Sequence, residues 1–502
     1  MGMLVLLTAL GAWLGFANPL LHVPAAVLAV PLGLTWIAVR AVTGRRAFWI
    51  AWGAALLGAL GCLYWVAWPV ERYGGLPWAL ALPCPVLVGG VLALYWAFFA
   101  WAMHHAARRL SPGWLMCFAG VLWTCLEHLG SHLLTGFPWL TLGSGLSAWP
   151  WAVQPAALVG GYGLAGLVAA LGTGLVLVNT GRTARWACLA LLLFFGLFGP
   201  LRIWLAPPAE GSAEVLMVQG AVDQDEKWTP DYQEATVTRY MALTDEALDR
   251  APADLALWPE TAMPFYFQDA SPLSGMVTQL ARRRGVWLVT GAPAYTAQGG
   301  GYALYNRAFL VSPVGEIAQG YDKMHLVPFG EYVPLGDILP IEKLAHGVGD
   351  FLPGRDPAPL AAGRVRAGML ICYEAIFPDL AQERVAAGAN LLASISNDAW
   401  FGHTSAPQQH LSHAALRCVE QGRAMARCTN NGITAFIDPL GRIRATAPRD
   451  AATVLAGTVT LSTLKTVYHR CYDVVLWGQY ILAAAFGLRL LLTRRRDARR
   501  LS

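Results

Sequence analysis

Charge is what this sequence has least of. Only 13% of its 502 residues are Asp, Glu, Lys or Arg, against roughly 25% in ordinary soluble domains. The deficit is concentrated at one end. No lysine occurs between Met1 and Leu205, and Glu71 and Glu127 are the only acids there. A surface so poor in charge cannot stay dispersed in water, which excludes a soluble N-terminal half and makes lipid its solvent. Paired cysteine motifs are also missing. None of the nine cysteines shows CxxC spacing, and Cys62, Cys84, Cys117, Cys125 and Cys188 fall in or beside apolar runs, where they pack as small apolar residues. A disulfide framework is therefore not expected. The loop Gln298-Gly-Gly-Gly301 lacks the lysine, the hydroxyl and the GxGxxG spacing of a phosphate loop. His128 and His132 stand beside Glu127, but not in the HExxH order of a zinc helix. No metal and no cofactor is expected. Met1 is followed by neither a basic region nor a clear cleavage site, so no removed signal peptide is expected.

What is present in place of charge is long apolar runs. A spanning helix needs roughly 20 apolar residues, and eight candidates can be drawn, at about 3–17, 22–39, 48–68, 79–102, 113–130, 156–178, 186–204 and 472–492. Asn18-Pro19 splits the first two. Arginines set the orientation. Arg40, Arg45 and Arg46, then Arg108 and Arg109, then Arg182 and Arg185, and finally Arg494-Arg-Arg-Asp-Ala-Arg-Arg500 all fall on one side if there are eight spans. The positive-inside rule makes that side cytoplasmic. Both termini are then cytoplasmic and the large central domain lies outside. The tail abuts a span, so it reads as an anchor and not as a nucleic-acid patch. The domains expected are 1–205, a membrane domain of seven helices; 206–468, the large domain outside the membrane; and 469–502, a last membrane helix with its basic tail.

The central segment alternates short β-branched runs with helical ones. Strands are predicted at Glu214–Gln219, Asp254–Trp258, Trp287–Gly291, Ala303–Val311, Val365–Ile371, Leu391–Ser396, Ile433–Ile437 and Thr453–Val459, with helices at Tyr232–Arg250, Ser271–Arg284, Pro378–Ala387 and Pro407–Arg427. That alternation argues for a layered α/β domain.

Chemistry gathers at three places. The apolar run Gly368-Met-Leu-Ile-Cys-Tyr-Glu-Ala-Ile-Phe-Pro378 delivers a thiol at the end of a strand, with Glu374 expected on the same strand face as Cys372. A cysteine in that setting is ordinarily inert core, but a buried carboxylate two residues on is uncommon unless used or paired. Free cysteine titrates near about 8.5, so attack needs a nearby base. Glu260, turned into a cleft by Pro259 at a strand end, can be that base or a plain loop acid. Lys323, in Tyr321-Asp-Lys-Met-His325, is either a surface residue whose stem packs down or a fixed cation for an oxyanion, and Glu331 could hold it. Trp228 stands out as a ring in a polar loop. His410 and His413 read as capping or surface residues.

These motifs resemble the nitrilase superfamily, whose Glu-Lys-Cys triad matches Glu260, Lys323 and Cys372 in chain order. The flanking runs Trp258-Pro-Glu-Thr, Lys323-Met-His-Leu-Val-Pro-Phe-Gly-Glu-Tyr-Val-Pro334, Cys372-Tyr-Glu, Ser396-Asn-Asp-Ala-Trp-Phe401 and Thr429-Asn-Asn-Gly432 are similar to those of the apolipoprotein N-acyltransferase family. His403 departs from that pattern, where an acid is more usual. The resemblance implies an αββα nitrilase-like sandwich set between spans. It also implies ping-pong transfer of an acyl chain from a membrane phospholipid, through a thioester on Cys372, to the α-amine of a diacylglyceryl-cysteine on an apolipoprotein. Glu331, Tyr373, Glu374 and Trp228 match supporting positions. Lipid-borne substrates also explain the spans, because each CH₂ taken out of lipid costs about 0.8 kcal/mol. Phe329, Tyr332, Val333, Leu335 and Trp400-Phe401 are expected to dip into the bilayer. Two other readings stay open: a membrane-tethered amidase hydrolysing small amides, and a transporter or scaffold, which would carry more ionisable residues within its spans.

Overall fold

The computed structural model describes residues 1–224, 227–299, 301–334 and 350–501, with side chains at 230 and from 494 onward excepted. The eight apolar runs all form helices. Five of these helices are long and apolar enough to cross a membrane, by length and composition: Gly44–Arg72, Trp78–Ala106, Ala156–Leu177, Arg182–Trp204 and Tyr472–Thr493. The first two runs give shorter apolar helices, Gly2–Gly15 and Pro24–Arg40, because Asn18 caps a tight reversal between them, accepting from Leu20 N and Leu21 N. The run at 113–130 forms the helix Pro112–Gly130, which falls outside those five. The expected count of eight spans is thus met as helices, but only in part as full-length spans.

The central domain contains twelve described strands: β1 (Gly211–Gln219), β2 (Leu255–Leu257), β3 (Trp287–Gln298), β4 (Gly301–Val311), β5 (Ile317–Asp322), β6 (Leu360–Ala362), β7 (Val365–Ile371), β8 (Leu391–Ser396), β9 (Met425–Thr429), β10 (Ala435–Ile437), β11 (Ile443–Thr446) and β12 (Thr453–Leu461). They form two six-stranded sheets, ordered β12-β1-β2-β3-β4-β5 and β11-β10-β9-β8-β7-β6. β1, β2 and β3 run parallel, as do β7, β8 and β9. β2 and β8 are buried along their whole length, as strands covered on both faces are. The sheets pack face to face through Val215, Leu257 and Val289 on one side and Met369, Ile371 and Ile395 on the other. Burying each large aliphatic side chain contributes about 1.5–3 kcal/mol.

Outside each sheet lies a helix layer, which completes the expected αββα sandwich. Pro230–Arg250 and Pro272–Arg284 cover the first sheet with Val237, Tyr240, Val277 and Leu280. Pro378–Ala386 and Ala406–Gln421 cover the second, and their far side joins the apolar core of the membrane helices. The predicted helix Pro407–Arg427 is corrected here. It stops at Gln421 because Gly422 adopts φ +63, a left-handed cap that glycine takes without a Cβ clash, and the chain continues as β9. Besides β9, the strands β5, β6 and β11 were not foreseen. β5 and β11 are polar edge strands and β6 has three residues, so none shows an apolar period.

Candidate active site

Parallel strands gather functional groups at their carboxyl ends, and here Glu260 follows β2, Cys372 follows β7, Asn397 follows β8, and Lys323 follows the edge strand β5. The turn bearing Glu260 lies against β3. A Cβ at Gly291 would come within 2.6 Å of Thr261 N and 2.7 Å of Glu260 Cα, so only glycine permits that approach.

Glu260 is 6% exposed. Its Oε1 accepts from Asn306 Nδ2 at 2.8 Å and from Lys323 Nζ at 3.3 Å, and its Oε2 accepts from Asn397 N at 3.0 Å. Lys323 is 1% exposed, and its Nζ also lies 2.9 Å from Glu331 Oε2. Asn306 Nδ2 bridges the two acids, donating to Glu331 Oε1 at 2.8 Å, and Val327 N donates to Glu331 Oε2. Burial works against the ammonium of Lys323, but Glu260, Glu331 and Cys372 outweigh it, and the lysine is held above its ordinary pKa. It stays charged at any physiological pH.

Cys372 sits beside this cluster at φ +53, a strained left-handed position for a residue with a side chain. It is a free thiol. Burial pushes its pKa up and Glu260 and Asp398 push further, while Lys323 and the Ser396 hydroxyl pull back. The resting group is a neutral thiol. Its carbonyl accepts from His410 Nε2 at 2.9 Å.

Residues 372–376 form a 3₁₀ turn, so Glu374 does not share a strand face with Cys372 as expected. It is fully buried and staples the site from behind. Oε2 accepts from Ile371 N at 2.7 Å, and Oε1 accepts from Tyr321 Oη and Met324 N, each at 2.7 Å, and from His325 N at 3.2 Å. One carboxylate thus ties the nucleophile turn to the lysine loop. Burial raises its pKa, against the pull of Arg384 and these donors. Tyr373 points the other way. Its hydroxyl donates to Gly136 O at 2.8 Å and its ring faces Phe137, so the turn is also joined to the membrane domain.

Trp228 is half-buried, not free in a polar loop. The ammonium of its neighbour Lys227 lies 5.5 Å from the ring centroid and 3.5 Å from Thr261 O. Lys227 was missed in the sequence. It is 3% exposed, and burial lowers its pKa to about 8. Asn306 was missed too, and Asn397 was quoted only as part of the run Ser396–Phe401. An asparagine in the middle of β4, between Tyr305 and Arg307, was a usable signal, whereas Asn397 meets Glu260 through its backbone N. His410 and His413 are fully buried, not surface residues. Trp400 and Phe401 are half-buried against aromatic rings of the N-terminal region. Trp400 packs on Tyr73 at 4.4 Å, and Phe401 on Trp65 and Trp139. Phe329 is exposed and lies at φ +63, while Leu335 falls outside the described residues.

A sandwich with this Glu, Lys and Cys at its strand ends defines the carbon-nitrogen hydrolase class, and residues 217–468 match the carbon-nitrogen hydrolase family model. Residues 8–174 match the model of the apolipoprotein N-acyltransferase N-terminal domain. The apolipoprotein N-acyltransferase of Geobacter metallireducens is 39% identical over 86% of this chain and 85% of its own length. Those of Azotobacter vinelandii and Pseudomonas putida are 37% and 34% identical, over 91% and 93% of this chain and 89% and 91% of theirs. The chain belongs to the apolipoprotein N-acyltransferase family, as its motifs implied, and its apolar helices fit an inner-membrane protein.

Proposed function

We propose that the protein moves an acyl chain from a membrane phospholipid to the N-terminal α-amine of a diacylglyceryl-cysteine on an apolipoprotein, through a thioester on Cys372. Glu260 takes the thiol proton as sulfur attacks the ester carbonyl. Lys323 has three donor hydrogens, two engaged by Glu260 and Glu331, and the third faces the oxyanion. The intermediate collapses, Glu260 returns the proton to the departing lysophospholipid oxygen, and the thioester remains. The amine then attacks, Glu260 takes its proton, the amide forms, and the sulfur leaves and is reprotonated.

The observation that carries this reading is the buried Glu260–Lys323–Glu331 cluster beside the Cys372 thiol, with Lys323 Nζ 3.3 Å from Glu260 Oε1 and 2.9 Å from Glu331 Oε2. As the thiol proton passes to Glu260 the oxyanion forms beside the ammonium, so opposite charges stay paired in a low-dielectric site, where an unpaired charge is expensive. Glu331 fixes the ammonium, Glu374 fixes the lysine loop against the nucleophile turn, and Tyr373 and Trp228 line the substrate side.

In this reading the domains are 1–205, 206–468 and 469–502. The eight helical runs are spans, both termini are cytoplasmic, and the catalytic domain faces the periplasm. The test is intact-mass measurement after incubation with phospholipid. The wild type gains one fatty acyl group, released by hydroxylamine, and Cys372→Ser and Glu260→Gln gain none. Release of free fatty acid or ammonia with no acylation of a lipopeptide acceptor would establish the hydrolase reading in its place.

A further inference from the structure

The strain at Cys372 requires something to hold it. A non-glycine residue at positive φ is strained and persists only where its surroundings over-determine it. The backbone on the amino side is held by Glu374 through Ile371 N. On the carboxyl side, the Cys372 carbonyl lies in the 3₁₀ turn 372–376 and also accepts from the side chain of His410, through Nε2 at 2.9 Å.

The chemistry of His410 is fixed by what surrounds it. Arg427 Nη2 lies 3.1 Å from His410 Nδ1. Guanidinium can only donate, so Nδ1 is the acceptor and the ring hydrogen sits on Nε2, aimed at the Cys372 carbonyl. Arg427 is itself held by Asp398 Oδ2 at 3.0 Å, and Asp398 Oδ1 accepts from Ser396 Oγ at 2.6 Å. Asp398 Oδ1 is 3.6 Å from His410 Nδ1, too far for a hydrogen bond. The rings of Trp139 and Phe401 close the remaining sides. Burial and Arg427 both disfavour the imidazolium, and the His410 pKa is lowered accordingly. His410 is a neutral donor locked in one tautomer.

The helix that carries it adds a reason. Gln409, one residue earlier, binds Ala17 O and Cys62 O of the membrane domain at 3.1 Å each, and His413 binds Trp139 O at 2.8 Å. Between these anchors, His410 alone turns toward the nucleophile.

We propose that His410 is a positioning residue for the nucleophile: its Nε2–H, oriented by the Asp398–Arg427 pair, holds the Cys372 backbone in its left-handed conformation and references it to the membrane domain. The thiol is thereby kept in line between Glu260 and Lys323. This rests on Cys372 being the acylated group.

The test measures thioester formation by intact mass on the full chain in detergent with phospholipid, for His410→Gln and His410→Asn. Glutamine reaches the Cys372 carbonyl with its amide N–H and can accept from Arg427 with its amide oxygen. Asparagine is polar but too short. Gln is expected to load at near the wild-type rate with an unchanged pH profile. Asn is expected to load roughly 10- to 100-fold more slowly at saturating phospholipid, the scale of a misplaced reacting group, with the half-saturating phospholipid concentration unchanged. Equal rates for Gln and Asn, or an Asn deficit matched by its unfolded fraction in size-exclusion chromatography, overturn the proposal. A Gln variant as slow as Asn with a displaced pH profile also overturns it, since the imidazole would then be exchanging protons. Failure of the wild type to load at Cys372 counts against the acyl-enzyme reading and is seen separately from the comparison of variants.

Discussion

The two helix layers of the sandwich look alike in sequence and are opposite in physics. Pro230–Arg250 and Pro272–Arg284 bury one face on the first sheet and give the other to water. Their polar partners are each other: Arg284 pairs with Asp245 at 2.5 Å and Asp249 at 2.6 Å, and Arg283 with Asp245 at 2.6 Å. Ala406–Gln421 is just as polar, but Gln409, His410, His413, Arg417, Glu420 and Gln421 are all buried. Its second face lies on the membrane helices. Gln409 accepts from Trp65 Nε1 and Trp139 Nε1, Glu420 accepts from Gly161 N at 2.7 Å, and Arg417 donates to Ile376 O at 2.7 Å. A polar stripe on a helix marks water in one layer and a set of backbone partners in the other.

The contrast predicts where the domain is fragile. Glu420→Ala leaves the Arg417 guanidinium without its carboxylate and Gly161 N without an acceptor, both in a buried interface. Removing one member of a buried pair costs about 3–5 kcal/mol. Thermal unfolding in detergent should show the largest loss of any change discussed here. An unchanged Tm would mean that the inner layer is no more tightly built than the outer one.

Acid should act on the inner layer through His413. His413 is buried, and its pKa falls to about 3, chiefly through desolvation and then through the nearby Arg417. Below about 6.5 the unfolded histidine binds a proton that the folded one refuses. Stability therefore rises with pH between about 3 and 6.5 and is lost on acidification, by about 2 kcal/mol at pH 5. His413→Gln keeps a donor for Trp139 O and does not titrate. Its unfolding midpoint should change less between pH 7 and pH 5 than that of the parent, and equal pH dependence would remove His413 as the cause.

The same contrast explains what could be seen in the sequence. Glu260, Lys323 and Cys372 were legible because each ends a strand, and a Pro, an Asp or an apolar run beside it announces the end. The outer helices were legible to within about two residues, because their apolar period faces a sheet and their charges face water. The inner helix was legible as a helix but not as an interface. Nothing local distinguishes a His that meets water from one that meets Cys372 O or Trp139 O. Glu374 was picked out for being buried, which holds, but its 3₁₀ turn was hidden in a run that reads as continuous strand. The contacts of Trp400 and Phe401 with Tyr73, Trp65 and Trp139 were not legible, because those aromatic partners are more than 250 positions away in the chain.

The smallest effect belongs to the outer layer and separates the two by salt. Arg284 is partly exposed and its partners lie on a solvated face, where ion pairs add little. Arg284→Ala should lower Tm by at most roughly a degree or two. At about 1 M salt the Debye length is only about 3 Å, so whatever the Arg284 pair contributes is screened and the variant should converge on the parent. The deficit of Glu420→Ala should persist there, because ions do not enter its interface. If both deficits faded together, the inner charges would be reached by solvent, and the helix Ala406–Gln421 would be docked on the membrane helices more loosely than its hydrogen bonds require.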